Sequence, residues 1–572
     1  MQGKRGDRPA ARMIVEPGVE TLLTNAKIFQ ASSTSVSTGK DQQAAFATSL
    51  LIGADGTIRH IASSNSGDEE EVVTSARANG AKVHDLQGKT VLPGFFDGHI
   101  HLLLLGMSLK KVDLGPCKNL DDIQETIRAY AKSHPDVPRI MCKSWMHMQT
   151  PGGVDHSMLD DLDPRPIFVD TKDLHGCWCN QAAIDELDRG LGIGTMPNPP
   201  GGTIHRDGEG KPTGFFEEAV VFTIIWPFIS RISSVEDRAA AMEAAIEVYN
   251  AAGYVGLIDM AMDQSSWDSL LALKARRPDL PMRIAAYWLI RPADEEDCLR
   301  QVDYVAEMAS KYNATTSPDL KVVGIKLVCD GIVDACTAAL SEPYAHTGSM
   351  EDPVWTKPML LPVVRRADEA GLQVALHAIG DLTARNAIDT IEACASPERR
   401  PRIEHLELTT PEDAARLGKL GITASVQPVH SDPAILRAWP KLIGEHRCGR
   451  AFAYREFADG GALLALGSDA PTAPHSLAAN CYVATNRRSA REPDLETVVN
   501  GQFALGLCES VVAGTQGSAR SCFMDDVTGK LEKGMKADLA VLDMQWDKTQ
   551  MLKARVTQTW FAGRKVFDDE AN

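Results

Sequence analysis

Ten short apolar runs alternate with helical patterns through the middle of this chain. That alternation limits the fold more than any other feature. The runs cover 94–101, 139–145, 167–171, 255–260, 283–290, 322–328, 372–377, 402–406, 422–427 and 462–468. Stretches of helical periodicity separate many of them, such as 235–252, 295–312 and 382–395. Buried-type runs divided by helices are the signature of βα units on a parallel sheet. A (β/α)8 TIM barrel needs eight strands, so two runs are surplus. The pair at 139–145 and 167–171 sits in a stretch rich in Pro and Gly, about 115–232. Treated as an insertion, that stretch leaves eight strands for one α/β barrel over 91–525.

The two ends of the chain read differently. TLLTNAKIFQ (21–30) and SLLIGADGTIRHIA (49–62) are short strands, and Ala54-Asp55-Gly56-Thr57 marks a hairpin turn. GKLEKGMKADLAVLDM (529–544) and VTQTWFAGRKVFD (556–568) repeat the pattern at the far end, with a turn at Ala562-Gly563-Arg564. Residues 19–90 and 526–572 are therefore expected to form one small β-sandwich built from both termini. Residues 1–18 read as a flexible arm. The segment 506–528 fits no simple barrel helix.

Composition excludes several functions. With 59 Lys and Arg against 77 Asp and Glu, the net charge is −18, a poor match to a phosphate backbone. The longest apolar run, 219–229, is too short to cross a membrane and contains Pro227. The N-terminus lacks the apolar stretch of a secretory signal. The twelve Cys are scattered through apolar settings and read as reduced core thiols. Cys117, Cys177 and Cys179 lack a two-pair zinc spacing. A cytoplasmic protein is expected, with neither nucleic acid nor membrane as partner.

The chemistry concentrates at strand ends. In PGFFDGHIHL (93–102), strand alternation puts Asp97, His99 and His101 on one face, and the two histidines can grip one ion. A chance HxH in a packed strand is the plain alternative. The C-terminal rim of a first barrel strand favours the metal, because that rim hosts active sites. In VVGIKLVCDG (322–331), Lys326 stands in a buried-type strand, where a bare ammonium costs several kcal/mol. It is either paired with a carboxylate such as Asp330, or neutral and able to add CO2. The resulting carbamate has two oxygens, enough to bridge two cations. LQVALHAIGD, RIEHLEL and ALLALGSDAP place His377, His405 and Asp469 at further strand ends. Each is weak evidence alone. Together they form an imidazole and carboxylate set suited to zinc or a similar divalent ion.

The ordered set His99-x-His101, Lys326, His377, His405, Asp469 resembles the amidohydrolase superfamily, whose fold is a metal-carrying TIM barrel beside a small β-sandwich. PGFFDGHIH, IKLVCDG, LHAIGD, IEHLEL and GSDAP resemble the branch that includes N-substituted formamide deformylase. So do DLHGCWCN (173–180), GTIHRDGEGKPTGFFEEA (202–219) and GKLEKGMKADLAVLD (529–543). The resemblance implies that His99 and His101 bind one metal and His377 and His405 a second. Carboxylated Lys326 would bridge them, and Asp469 would be ligand and general base; some members keep one metal. It also implies that the insertion reaches over the barrel mouth. Trp145, Trp178, His147 and His175 are then the expected pocket residues, with His175 helping to polarise the substrate carbonyl. Core packing is the alternative for both tryptophans, a surface site for His147. Glu217 or Glu218 is a pocket acid or one of a solvated pair.

The expected reaction is hydrolysis of a C–N amide-type bond, in an amide or N-substituted formamide, by metal-activated water on a small-molecule substrate. Three alternatives stay open: a non-oxidative decarboxylase, a C–C or ester hydrolase, and a non-catalytic binding protein. A homodimer is an open option, since large metal barrels often pair.

Overall fold

The computed structural model describes residues 19–31, 44–62, 68–172, 175–199 and 202–570. The arm expected at 1–18 lies outside them. Eight parallel strands follow one another around a single sheet. In chain order they are Phe95–Ile100, Tyr254–Met262, Arg283–Leu289, Leu320–Val328, Gln373–Ala378, Arg402–His405, Thr423–Val426 and Leu463–Leu466. These are the eight apolar runs assigned to a barrel from the sequence. The last strand meets the first where Ile100 bridges Ala470 in parallel. There Asp469 N donates to His99 O at 2.7 Å and His101 N to Ala470 O at 3.0 Å. Closure therefore fixes three of the expected site residues against one another.

Alternation along the strands divides two cores. Ile325 and Leu327 turn outward into the large cluster shared with the surrounding helices. Phe96, Ile258, Met260, Ala285, Tyr287 and Ala375 turn inward and form a separate cluster with Ala519, Cys522 and Met524. That grouping explains the unassigned segment 506–528. Its helical turns, ending at Ser518–Ser521, plug the barrel at the strands' N-terminal ends. Ser521 there accepts from Gln373 Nε2 and Arg402 Nη1.

The two surplus runs form a sheet of their own. Its order is Gly202–Arg206, Pro212–Glu218, Gly176–Cys179, Ile167–Thr171, Ile140–Trp145 and Val112–Asp113. The insertion leaves the barrel after helix Leu102–Leu109 and the chain returns through helix Val235–Ala251. These two helices touch closely because Gly106 has no side chain. A Cβ there would lie 2.1 Å from the Ala241 carbonyl oxygen.

Both ends of the chain build the sandwich. One sheet runs Ile58–Ala62, Ser49–Ile52, Thr21–Thr24, Lys82–Asp85. The other runs Arg564–Asp568, Arg555–Phe561, Leu539–Asp543, Thr90–Pro93, Lys27–Gln30, Ala45–Ala47. Leu23, Leu50, Ile58, Val91, Leu539 and Val541 are buried together in the core they share. Arg283 at the base of the third barrel strand donates to Asp538 at 2.8 Å and ties sandwich to barrel. Among the described residues no helix is long and apolar enough to cross a membrane.

Candidate metal centre

The first strand delivers its histidines through an irregularity. Asp97 pairs with Leu257 and Ile100 with Asp259, so Gly98 and His99 together face Ile258. Such a bulge breaks the two-residue alternation and re-aims the following side chains. Asp97 therefore does not share a face with His99 and His101, contrary to the sequence expectation. It accepts from Tyr249 Oη at 2.9 Å, Ser468 N at 2.9 Å and Ser468 Oγ at 2.6 Å. Burial raises its carboxyl to about 6 against those bonds. Its role is to lock the strand that carries His99 to the loop that carries Asp469.

His99, His101 and Asp469 present donor atoms within 4.8 Å of one another. Asp469 Oδ1 lies 3.6 Å from His99 Nε2 and 3.1 Å from His101 Nε2. The Nδ1 atom of His99 is held by Glu404 Oε2 at 2.7 Å. Arg402 forks onto Glu404 at 2.8 and 3.1 Å and spends its other donors on Gly98 O and the hydroxyls of Ser425 and Ser521. A histidine whose far nitrogen is fixed by a carboxylate offers the near one in a set orientation, the usual support of a metal ligand.

Asp469 and His405 both occupy the left-handed region, with φ of 57° and 78°. Such backbone costs of order 1–3 kcal/mol at a non-glycine residue and collects at functional sites. At His405 it has a visible effect. Arg402 and Glu404 face inward and Ile403 joins the outer core, so plain alternation would turn His405 outward. The turned backbone brings its ring instead to 4.9 Å from His99 and 4.4 Å from His377, centroid to centroid.

Electrostatics matches metal ligation. Burial, then the Lys326 ammonium, lowers His99 to about 4 and His377 to about 3. Both rings are neutral at pH 7, the form a metal takes. Burial alone would raise Asp469, but the bond and charge of His101 at 3.1 Å hold it well below the usual carboxylate range. Lys326 is buried, which lowers its ammonium pKa, and its Nζ has no hydrogen-bond partner among the described residues. It is not paired with Asp330. That carboxylate accepts from the backbone N–H groups of Ala339, Ile379 and Gly380. The Nδ1 atom of His405 is likewise buried without a partner. An unpartnered amine and imidazole beside an ionised carboxylate fit a divalent cation. His99, His101 and Asp469 would hold one, with His405, His377 and Lys326 beside them.

The insertion residues separate. Trp145 and Trp178 are 1% and 0% exposed inside the insertion, with ring centroids 5.4 Å apart. Their indole N–H groups are used on Thr150 Oγ1 and Asp155 O. Both pack in the buried core of the insertion, the alternative expectation for them. His147 lies against Trp145 and Phe215 of the insertion. His175 pairs through Nδ1 with Glu218 at 2.9 Å and acts electrostatically on Asp334, in the loop after the fourth barrel strand. Glu217 pairs with His205.

Several residues escaped sequence reading. His430, four residues beyond the seventh strand, joins His405 and Asp469 in a second donor group within 4.8 Å. Unlike His377 and His405, which stand within or at the end of their strands, it lies in the turn Pro428–Ser431. Glu404, Arg402 and Glu407 had a weaker signal, charged side chains in a buried apolar strand and its exit loop.

An eight-stranded barrel with imidazoles and a carboxylate gathered at its C-terminal rim is the architecture of metal-dependent hydrolases. The chain belongs to the amidohydrolase family, whose model matches residues 82–567. The protein LONG AFTER FAR-RED 3 of Arabidopsis thaliana is 27% identical over 498 residues, 84% of this chain and 83% of the relative. N-substituted formamide deformylase of Arthrobacter pascens is 26% identical over 516 residues, 83% of this chain and 87% of the relative. A solved metal-dependent hydrolase from Pyrococcus furiosus superposes with a TM-score of 0.74 at 26% identity, covering 92% of this chain and 99% of that one.

Proposed function

We propose that this chain hydrolyses a C–N amide-type bond, in an amide or N-substituted formamide, of a small molecule. The observation that carries the reading is Asp469. An ionised, buried carboxylate stands between two histidine groups at the barrel's closing seam. The similarity to N-substituted formamide deformylase supports the bond class. When bound, a divalent ion, zinc by the donor set, supplies Lewis acidity and water with a pKa near 7.

The chain's own groups do the rest. Asp469 accepts a proton at a carboxylate oxygen as water attacks, then returns it to the leaving nitrogen, one group serving as base and acid. His175, oriented by Glu218, donates from Nε2 to the substrate carbonyl oxygen and steadies the charge that develops there. Lys326, whose ammonium pKa burial lowers, would on adding CO2 and releasing a proton become a carbamate, a further anionic ligand for the ion. The barrel rim holds these groups rigidly, and the insertion limits water.

Product analysis on a panel of amides, N-substituted formamides, esters and carboxylic acids tests this. The expected result is an amine released in equal amount with a carboxylate or formate. Release of CO2 or of an alcohol alone, without amine, would contradict it.

A further inference from the structure

We infer that His430 is a metal ligand, holding with His405 and Asp469 Oδ2 one ion of a two-ion centre. The inference rests on the metal-dependent reading above and adds a ligand that the motif set lacks.

Four observations carry it. First, Asp469 faces two ways: Oδ1 serves His99 and His101, while Oδ2 lies 3.7 Å from His430 Nε2. A carboxylate with each oxygen turned to a different histidine group is placed to bridge two cations. Second, His430, His405 and Asp469 each present a donor atom within 4.8 Å of the others, and the two rings are nearly parallel with centroids 5.9 Å apart. Third, His430 Nδ1 is paired with Glu407 Oε1 at 3.3 Å, and Glu407 is buried. This repeats, on the other side of Asp469, the support that Glu404 gives His99. In both cases the carboxylate occupies the far nitrogen and leaves Nε2 toward Asp469. Fourth, the turn Pro428–Ser431 is pinned. His430 N donates to Gln427 O at 2.9 Å, Val429 N to Asn480 Oδ1 at 3.1 Å, and Arg487 Nη1 to Ser431 Oγ at 3.2 Å. The imidazole is thus held at the site by its neighbours on both sides. Two imidazoles and a carboxylate oxygen form a three-ligand set of the kind catalytic zinc uses.

The test is zinc titration of the metal-stripped full chain against a chromophoric chelator, with elemental analysis of the reloaded protein. The natural chain should take up two zinc ions in two resolvable steps. His430→Gln should weaken one step at least tenfold and leave the other unchanged. Glu407→Gln should weaken that same step by roughly 10–100-fold, the usual cost of losing an outer partner. Circular dichroism checks that each stripped variant is folded, and if His430→Gln is not, Glu407→Gln decides. Two steps unaltered by either substitution would overturn the inference. So would a natural chain with a single ion that His430→Gln leaves in place, although the hydrolase reading would stand. A natural chain that binds no zinc would overturn both.

Discussion

Asp469→Asn should fold normally yet lose turnover by about 10³-fold or more, since general acid–base catalysis alone is worth roughly 10²–10⁴-fold. Asparagine keeps the shape of the side chain and the bond from Asp469 N to His99 O, so the barrel seam stays closed. It removes the negative charge that His99, His101 and His405 surround. It also removes the carboxylate oxygen that accepts the proton from water. Steady-state rates on an accepted amide, with far-ultraviolet circular dichroism as the fold check, read the effect. An Asn variant within tenfold of the natural rate would take Asp469 out of the base role.

Arg402→Met should destabilise the chain by about 3–5 kcal/mol, the range for stripping one partner from a buried ion pair. Arg402 and Glu404 are both fully buried and joined by two hydrogen bonds. Without the guanidinium, Glu404 keeps only His99, and the bonds to Gly98 O, Ser425 and Ser521 are lost as well. The denaturant midpoint of the metal-stripped chain measures the loss. Arg402→Met combined with Glu404→Gln should recover part of it, because the stranded charge is gone. A single variant with an unshifted midpoint would show that the pair is dispensable.

Much of this architecture was legible because buried strands and helices write different periods. The eight barrel runs and the surplus pair could be sorted by the Pro- and Gly-rich composition around the latter. What stayed hidden were departures from period. A one-residue bulge at Gly98–His99 sends Asp97 away from its expected partners. A left-handed backbone at His405 turns an outward position inward. Neither leaves a mark in hydropathy. The tryptophans of the insertion show the opposite limit, since an aromatic in a strand looks the same whether it faces a pocket or a core. His430 was missed for another reason. It lies beyond a short strand, in a turn whose direction depends on Asn480 and Arg487 from a later helix and its C-terminal boundary. The helical plug at 506–521 was unreadable because its partners, Phe96, Tyr287 and Ala375, come from three distant strands.

Hydrolysis is expected to depend on a divalent ion held by these histidines and Asp469. Elemental analysis of the chain purified without chelator, paired with turnover before and after metal stripping, tests it most directly. The expected result is one to two divalent ions per chain, activity lost on stripping, and activity restored by zinc. A chain that holds no ion and hydrolyses its substrate at the same rate would contradict it.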